Sequence, residues 1–163
     1  MLVWGIKMEY PYTHVGLGGS FDHLHKGHKF LLKTAFKLGK FVHIALTMEK
    51  LLKKKQYLQY FEPYSVRFEH LCAYIEQELN IEPERYSIIP LEDPYGPAIT
   101  SSDLEVHISS LETYSVALKI NEIRLEKGLN PLILVIIPIL YNYLGEKISS
   151  TQIRKKIAKS IKK

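Results

Sequence analysis

The stretch THVGLGGSFDHLHKGHKFLLKTAFKL, which runs from Thr13 to Leu38, sets the fold class of this chain. Residues Thr13–Gly18 have the pattern of a short β-strand and are followed by a glycine-rich turn. In the segment that begins at Gly27, apolar residues recur at helical spacing, namely Leu31, Ala35 and Leu38. The stretch therefore predicts a strand, a loop and a helix, in that order.

The rest of the chain repeats this alternation. Further strands are predicted at residues 41–47, 86–91 and 104–109, and further helices at 64–79, at 113–127 and from about 149 onward. The segment Leu132–Ile137 is apolar without alternation, which is typical of a central parallel strand buried on both faces. We therefore expect a Rossmann-like α/β fold, with one open parallel sheet and helices on both of its faces.

Length and composition favour one globular domain. The chain has 163 residues, of which 46% are hydrophobic and 24% are charged, and these values exclude a disordered or collagen-like chain. We expect a single domain over residues 1–163, with its core at about 13–158. The apolar runs are too short to span a membrane, and the first residues lack the apolar stretch of a signal peptide. We therefore expect a cytoplasmic protein without a membrane partner.

The positive charge of the chain favours anionic partners. The net charge is +5 and the sequence pI is about 9.1, with the excess concentrated in Lys53–Lys55 and Ile153–Lys163. In the second segment Ile153, Ile157 and Ile161 lie four residues apart, so its lysines form the exposed face of an amphipathic helix. No aromatic residues are interleaved with these lysines for base stacking, so we expect no nucleic-acid partner.

The loop after the first strand has the features of a phosphate site. Gly18 and Gly19 let the chain turn sharply and let backbone amides approach an anion. The helix that starts near Gly27 directs its positive end to the same point. The pattern is not a dinucleotide fingerprint, because Phe21 stands where G-x-G-x-x-G requires a glycine, and the chain has no P-loop triplet.

Two histidines stand across the start of this helix. His25 and His28 project to the same side, and each is able to donate a hydrogen bond to a phosphoryl oxygen. Gly27 between them leaves no side chain to block a nucleotide. The pair is also compatible with ordinary surface histidines, or with a metal pair completed by His23 and Asp22. The glycine-rich surroundings favour phosphate binding.

The start of the last helix is a second candidate for a phosphate site. Ser149, Ser150 and Thr151 offer hydroxyls and backbone amides there, and Arg154 follows one turn later with a guanidinium that suits phosphate. An ordinary N-cap by Ser149 or Ser150 explains the same cluster without a ligand. The histidine pair elsewhere in the chain favours the phosphate interpretation.

Both segments resemble the signatures of one superfamily. His25-Lys26-Gly27-His28 is similar to the H-x-G-H motif of the nucleotidyltransferases, and Ile148–Arg154 (ISSTQIR) is similar to the I-S-S-T-x-[IV]-R signature of the small adenylyltransferases among them. The segments between them that resemble the archaeal and eukaryotic type of phosphopantetheine adenylyltransferase are Asp93–Pro97, Ser110–Thr113 and Asn121–Arg124 with Gly128–Leu132. The resemblance covers roughly residues 13–158, and Ser20 stands where that family usually has threonine.

This resemblance implies an enzyme that transfers an adenylyl group from ATP to 4′-phosphopantetheine, with dephospho-coenzyme A and pyrophosphate as products. The residues implied to be catalytic are His25, His28, Ser20 and Arg154. Those implied to hold the phosphates of ATP are Gly18, Gly19, Gly27, Ser149, Ser150 and Thr151, and those implied to bind the acceptor are Lys53, Asp93 and Tyr95. Mg²⁺ is expected to accompany ATP and to be held mainly by its oxygens, without a metal site of the protein.

The nearest alternative is adenylyl or cytidylyl transfer to another phosphorylated acceptor, such as NMN, FMN or a phosphoalcohol, because these enzymes share the nucleotide-binding motifs. A non-catalytic nucleotide-binding module is the alternative from a different class. The Asp93–Pro97 and Ser110–Thr113 segments favour the pantetheine acceptor, and intact motifs at both ends of the chain favour catalysis. The oligomeric state does not follow from the sequence.

Overall fold

The strand, loop and helix predicted at the start of the chain are present in the computed structural model, which describes residues 10–161. Strand β1 spans Tyr12–Gly19 and helix α1 spans Lys26–Leu38. The helix buries a face on which apolar residues recur every three or four positions: Leu31, Leu32, Ala35 and Phe36. It ends at Gly39, where the backbone becomes extended and the next strand begins directly.

The remaining elements continue the alternation. The strands are β2 (Gly39–Thr47), β3 (Tyr86–Leu91), β4 (Val106–Ser110) and β5 (Ile133–Ile137). The helices are α2 (Tyr64–Ala73), α3 (Tyr114–Glu126) and α4 (Ser150–Ile161). Short 3₁₀ turns lie in the connections at Glu49–Leu51, Leu58–Tyr60, Pro83–Arg85, Gly96–Ile99 and Leu111–Thr113. Within residues 10–161, no helix has the length and apolar character needed to cross a membrane.

All the strands are parallel and form one five-stranded sheet in the spatial order β3-β2-β1-β4-β5. The first strand lies at the centre, with β2 on one side and β4 on the other. The strand order reverses at this point, so the loops that follow β1 and β4 diverge and leave a crevice at the carboxyl edge, where ligands bind in such sheets. The predicted Rossmann-like α/β fold is confirmed.

Helices cover both faces of the sheet. Helices α1 and α2 pack on one face, where the larger hydrophobic cluster includes Val15, Leu17, Leu32, Ile44, Leu71, Ile75 and Ile108. Helix α3 packs on the opposite face, over a smaller cluster of Ala98, Leu104, Ile120 and Leu132. Burial of this apolar area on both sides fixes the carboxyl edge of the sheet as a platform for its loops.

The prediction of a central strand at Leu132–Ile137 is wrong. Strand β5 lies at the edge of the sheet, where it pairs with β4. The side chain of Ile133 is 50% exposed there. An unbroken apolar run therefore predicts a strand, but it does not tell whether that strand has neighbours on both sides or how completely its side chains are covered.

The helix predicted at residues 64–79 changes type along its length. Helix α2 ends at Ala73 and continues as a π-helical turn over Tyr74–Glu78. The amide of Leu79 accordingly donates to the carbonyl of Tyr74, five residues earlier. Tyr74 and Ile75, the first two residues of this turn, are both buried.

Candidate active site

Two stacked histidines mark the start of α1. His25 is the N-cap residue, and its Nδ1 atom accepts a hydrogen bond from the amide of Gly27 at 3.1 Å. The Nδ1 atom of His28 lies 3.5 Å from the amide of His25, which donates to it, and the two ring centroids are 3.8 Å apart. Both rings therefore lie together where α1 begins, beside the loop that leaves the carboxyl end of β1.

Both histidines are neutral at neutral pH. Burial lowers the pKa of His25 from 6.5 to about 4, although the nearby Asp22 carboxylate acts in the opposite direction. Burial also lowers the pKa of His28 well below its usual value, and the neighbouring His25 adds to this effect. Because Nδ1 of each neutral ring accepts an amide N–H, the ring proton is assigned to Nε2. Each ring thus offers one N–H donor without carrying a charge.

Gly27 makes this arrangement possible. A Cβ atom at Gly27 would lie 3.1 Å from Cε1 and Nδ1 of His25, so any larger residue would displace the ring from its capping position. At Gly18 and Gly19, which end β1, a Cβ atom would make contacts at 3.5 and 3.4 Å, an ordinary van der Waals separation. Steric contact with His25 therefore disfavours any larger residue at position 27, whereas the protein atoms around Gly18 and Gly19 leave room for a Cβ atom.

Asp22 is the buried junction of three segments. Its Oδ1 atom accepts the amide of Glu62 at 2.9 Å, and its Oδ2 atom accepts from Nη1 of Arg154. Its carbonyl accepts the hydroxyl of Ser150 at 2.7 Å. The loop after β1, the connection after β2 and the start of α4 are therefore joined at one residue. From the sequence, Asp22 is a candidate only for a metal ligand. Its role as a junction is not predicted, because no local pattern reveals a partner that lies 132 residues away.

The guanidinium of Arg154 is buried in this junction. Its Nε atom donates to the carbonyl of Gln56 at 3.0 Å, Nη1 donates to Asp22, and Nη2 donates to the hydroxyl of Thr151 at 3.2 Å. It also lies 4.9 Å from the ring centroid of Phe61. All three nitrogens of the guanidinium thus donate to groups of the protein, whereas the sequence predicts that they donate to phosphate oxygens. Arg154 holds α4 against the loops that follow β1 and β2.

The hydroxyls at the start of α4 also have protein partners. Ser149 Oγ accepts the amide of Gln152 at 3.3 Å, which is the geometry of an N-cap. Ser150 donates to the carbonyl of Asp22, and Thr151 accepts from Arg154. The backbone amides in the first turn of any helix have no carbonyl partner within that helix. At the start of α4 these amides are therefore the groups that suit an anion.

Arg67 of α2 is a structural residue of this region that the sequence did not reveal. Its guanidinium is fully buried, and Nη1 donates to the carbonyls of Ser20 at 2.9 Å and Thr47 at 2.8 Å. These two carbonyls lie at the carboxyl ends of β1 and β2, so Arg67 fixes the two strand ends to each other. The available signal was its spacing, since Arg67 lies four residues before Leu71 on the buried face of the helix.

The residues expected to bind the acceptor lie in the connections after β2 and β3. Lys53 is exposed in the loop over residues 48–63. Hydrogen bonds from the amides of Gly96 and Tyr95, at 2.8 and 2.9 Å, lower the pKa of Asp93. The ring of Tyr95 packs against the smaller hydrophobic cluster. Asp93 and Tyr95 therefore shape the turn that follows β3.

The donors gathered at this edge suit phosphate better than a bare metal ion. Over residues 10–161, no group of three or more His, Cys, Asp or Glu side chains is arranged to hold a metal. Asp22, the carboxylate buried at the junction, already accepts from an amide and a guanidinium. Mg²⁺ requires several oxygen ligands, so these residues do not form a cage for it, whereas imidazole N–H groups and amides fit phosphate oxygens.

The sequence of the chain is similar to that of known enzymes. It matches a family model described as cytidylyltransferase-like over residues 17–156. It is 44% identical to the phosphopantetheine adenylyltransferase of Thermococcus kodakarensis over 147 residues, which cover 90% of this chain and 87% of the relative. It is 42% identical to the phosphopantetheine adenylyltransferase of Pyrococcus abyssi over 143 residues, which cover 88% and 89% of the two chains.

The fold is also similar to that of a solved structure, a protein of unknown function from Archaeoglobus fulgidus. The TM-score is 0.69 at 33% sequence identity, and the match covers 77% of this chain and 89% of the other. The segment matched by the family model contains the histidine pair, Asp22, Arg67 and Arg154. The similarity therefore includes the elements that build the carboxyl edge.

Proposed function

The chain belongs to the phosphopantetheine adenylyltransferase family of cytidylyltransferase-like proteins, and we propose on this basis that it transfers the adenylyl group of ATP to 4′-phosphopantetheine. The products are dephospho-coenzyme A and pyrophosphate, so the reaction is a step of coenzyme A synthesis. Both substrates are small molecules, and neither a nucleic acid nor a membrane takes part. A cytoplasmic location is part of the proposal, because the reaction consumes ATP.

The observation that supports this proposal most directly is the pair of neutral histidines at the start of α1. In adenylyl transfer, negative charge builds up on the oxygens between and around the α- and β-phosphorus atoms. Nε2–H donors held in place by their own Nδ1 hydrogen bonds need no rearrangement to stabilise that charge. Their neutrality keeps this donor arrangement intact at physiological pH.

The reaction itself requires little covalent chemistry from the protein. An oxygen of the acceptor phosphate attacks the α-phosphorus in line, and a bond forms there as the bond from the α-phosphorus to the α,β-bridging oxygen of ATP breaks. That oxygen leaves with the pyrophosphate as one of its terminal oxygens. The attacking phosphate is already ionised at neutral pH, so no general base is needed. The protein contributes positioning and charge stabilisation. His25 and His28 donate to the phosphoryl oxygens, and ATP enters as its Mg²⁺ complex, with the ion held mainly by the triphosphate.

The glycines and serines complete the phosphate site in this proposal. Gly18 and Gly19 leave the end of β1 free of side chains, so that a phosphate is able to approach the backbone there, and the hydroxyl of Ser20 supplies another donor. Gly27 keeps the His25 ring in place. The amides of Ser149–Thr151 bind the outer phosphates at the positive end of α4.

The remaining residues act around this centre. Arg154 holds the start of α4 to Asp22, so its contribution to catalysis is through the position of that helix. Lys53, in an exposed loop at the carboxyl edge, adds positive charge for the phosphates of the substrates. Asp93 and Tyr95 form the wall that contacts the acceptor, with the Asp93 carboxylate fixing the turn.

The experiment that tests this proposal is an acceptor screen with the purified chain, ATP and Mg²⁺, in which pyrophosphate release is measured. We expect 4′-phosphopantetheine to react much faster than NMN or FMN with ATP, or a phosphoalcohol with CTP. Equal or faster turnover with one of the other acceptors would assign the chain to that reaction. ATP binding without pyrophosphate release from any acceptor would identify a non-catalytic nucleotide-binding module.

A further inference from the structure

The turn that leads into His25 has an unfavourable backbone conformation. Phe21 and His23 have φ angles of 48° and 47°, in the left-handed region that favours glycine. Residues of this kind persist where their surroundings fix them, and they concentrate at functional sites. The turn ends two residues before His25, so its conformation sets the direction in which α1 begins.

Glu62 contacts this turn and the neighbouring Arg67 through its carboxylate, its backbone amide and its backbone carbonyl. Its Oε2 atom accepts the amide of His23 at 2.6 Å, and its own amide donates to Asp22 at 2.9 Å. Its carbonyl accepts Nε of Arg67 at 2.9 Å, from the same guanidinium that binds the carbonyl of Ser20. Glu62 therefore links the left-handed turn to the fixed ends of the central strands.

The carboxylate of Glu62 also faces two imidazole rings. Its Oε1 atom lies 3.6 Å from Nδ1 of His23 and 3.5 Å from Nδ1 of His70. On the opposite side of the first ring, Nε2 of His23 lies 2.8 Å from the carbonyl of Tyr60. The backbone and the ring of His23 are thus held by the same short segment of chain, which includes Tyr60 and Glu62.

We propose that Glu62 is a positioning residue for the adenylyl transfer. Its carboxylate holds the Phe21–His23 turn in the left-handed conformation, and this turn orients the N–H donors of His25 and His28. The kinetic consequence rests on the proposed function, whereas the orientation of the turn is a property of the protein without substrate. The two levels are therefore testable separately.

The surroundings of Glu62 allow it to be replaced without a cavity in the core. Its side chain is 16% exposed and borders an open cleft of about 470 Å³ between α1 and α2, so water is able to fill the space of a shorter side chain. Glu78 borders the same cleft and pairs with Lys29 at 2.9 Å, and its side chain is mostly exposed. Glu78→Ala is therefore the matched control.

The kinetic arm compares four variants. Glu62→Ala is expected to lower kcat about tenfold or more and to change KM for ATP less than about threefold, because small displacements of catalytic groups cost up to about 10² in rate. Glu62→Gln keeps an oxygen that accepts the His23 amide, so kcat is expected to recover to within about threefold of wild type. Glu62→Asp retains the negative charge but withdraws the carboxylate from the His23 amide, so kcat is expected to fall in this variant too. It takes the place of the alanine variant if that variant does not fold. Glu78→Ala is expected to match the wild type.

The second arm needs no activity. Burial lowers the pKa of His25 to about 4, so its NMR resonances are expected to stay constant as the pH of the wild-type protein falls from about 8 to about 5.5. A loosened turn exposes the ring to water, and Glu62→Ala or Glu62→Asp is expected to bring the His25 titration into this range.

Three results would overturn the proposal: wild-type kcat in Glu62→Ala, an equal loss of rate in Glu62→Ala and Glu62→Gln, or an unchanged His25 titration in both Glu62→Ala and Glu62→Asp. An inactive wild-type protein would contradict the proposed function instead, and the titration then decides on Glu62 alone. If the alanine variant does not fold, a Glu62→Asp protein with wild-type kcat and an unchanged titration overturns the proposal.

Discussion

The ring of His25 occupies the space that a side chain on Gly27 would need. The ring atoms Cε1 and Nδ1 lie 3.1 Å from the point where a Cβ atom on Gly27 would be placed. The same ring accepts the amide of Gly27 at 3.1 Å. The position of the His25 ring therefore depends on the absence of a side chain at Gly27, and a larger residue there would displace the ring.

Gly27→Ala is expected to separate activity from stability. The added methyl group displaces the His25 ring by a few tenths of an ångström, and we expect kcat to fall about tenfold because the donor leaves its position. Alanine favours a helix over glycine by about 1 kcal/mol, and a weakened N-cap costs about the same, so the melting temperature is expected to change little. Steady-state kinetics and thermal melts check both expectations. A variant with full activity would show that the ring position is not critical.

His28→Ala is expected to lower kcat by about 10² to 10³, because it removes a donor directed at charge that develops in the transition state. ATP affinity is expected to change less than turnover. His14→Ala is the control, since His14 lies near the amino end of β1, away from the carboxyl edge. Near-normal kcat of His28→Ala at saturating substrates would assign that ring to packing against His25 and Phe21.

Arg154→Lys and Asp22→Asn are expected to lower stability and activity together. Removal of one partner of a buried ion pair costs about 3–5 kcal/mol, and a lysine cannot replace three hydrogen bonds to Gln56, Asp22 and Thr151. Denaturant unfolding and ATP binding are measured on both variants. Unchanged stability with weaker ATP binding in Arg154→Lys would instead place the guanidinium at the phosphates.

Stability is expected to fall on acidification. Burial lowers the pKa of His25 and of His107 to about 4, so between their ordinary pKa of 6.5 and pH 4 the unfolded chain binds protons that the folded protein does not. Their contribution is constant above pH 6.5 and becomes increasingly unfavourable below it. We expect the melting temperature to fall from pH 7.5 to pH 5, and to fall less in His107→Asn. An identical fall in that variant would exclude His107 as a source.

The sequence predicts well the features that depend on neighbouring residues. The histidine pair at the start of α1 follows from the glycine-rich turn and the helical spacing behind it, and the structure has both rings there. The strand and helix positions follow equally from local patterns. Whether a strand is central depends on its pairing with distant strands, which is why the sequence wrongly predicts a central position in the sheet for β5.

The contacts that hold the carboxyl edge together could not be predicted. Arg67 donates mainly to backbone carbonyls, and a carbonyl acceptor is present at every position of a sequence and so gives no signal. Arg154 donates to one carbonyl and to two side chains, and the Asp22 carboxylate among them lies 132 residues away. Arg154 was expected to bind phosphate because it follows a helix start. The guanidinium is buried and therefore requires a full set of partners, which the protein supplies, so a contact of Arg154 with phosphate stays a prediction that Arg154→Lys tests.

The contact between Asp22 and Arg154 has a consequence for the newly made chain. Synthesis proceeds from the amino end, so Asp22 leaves the ribosome 132 residues before its partner. Until α4 docks, the Asp22 carboxylate has no guanidinium, and the loops after β1 and β2 lack the tie that Arg154 provides. Contacts between residues so far apart close late, because the loop between them must first be ordered. A chain that has not yet docked α4 therefore lacks the contacts with which this helix joins the loops after β1 and β2 at Asp22.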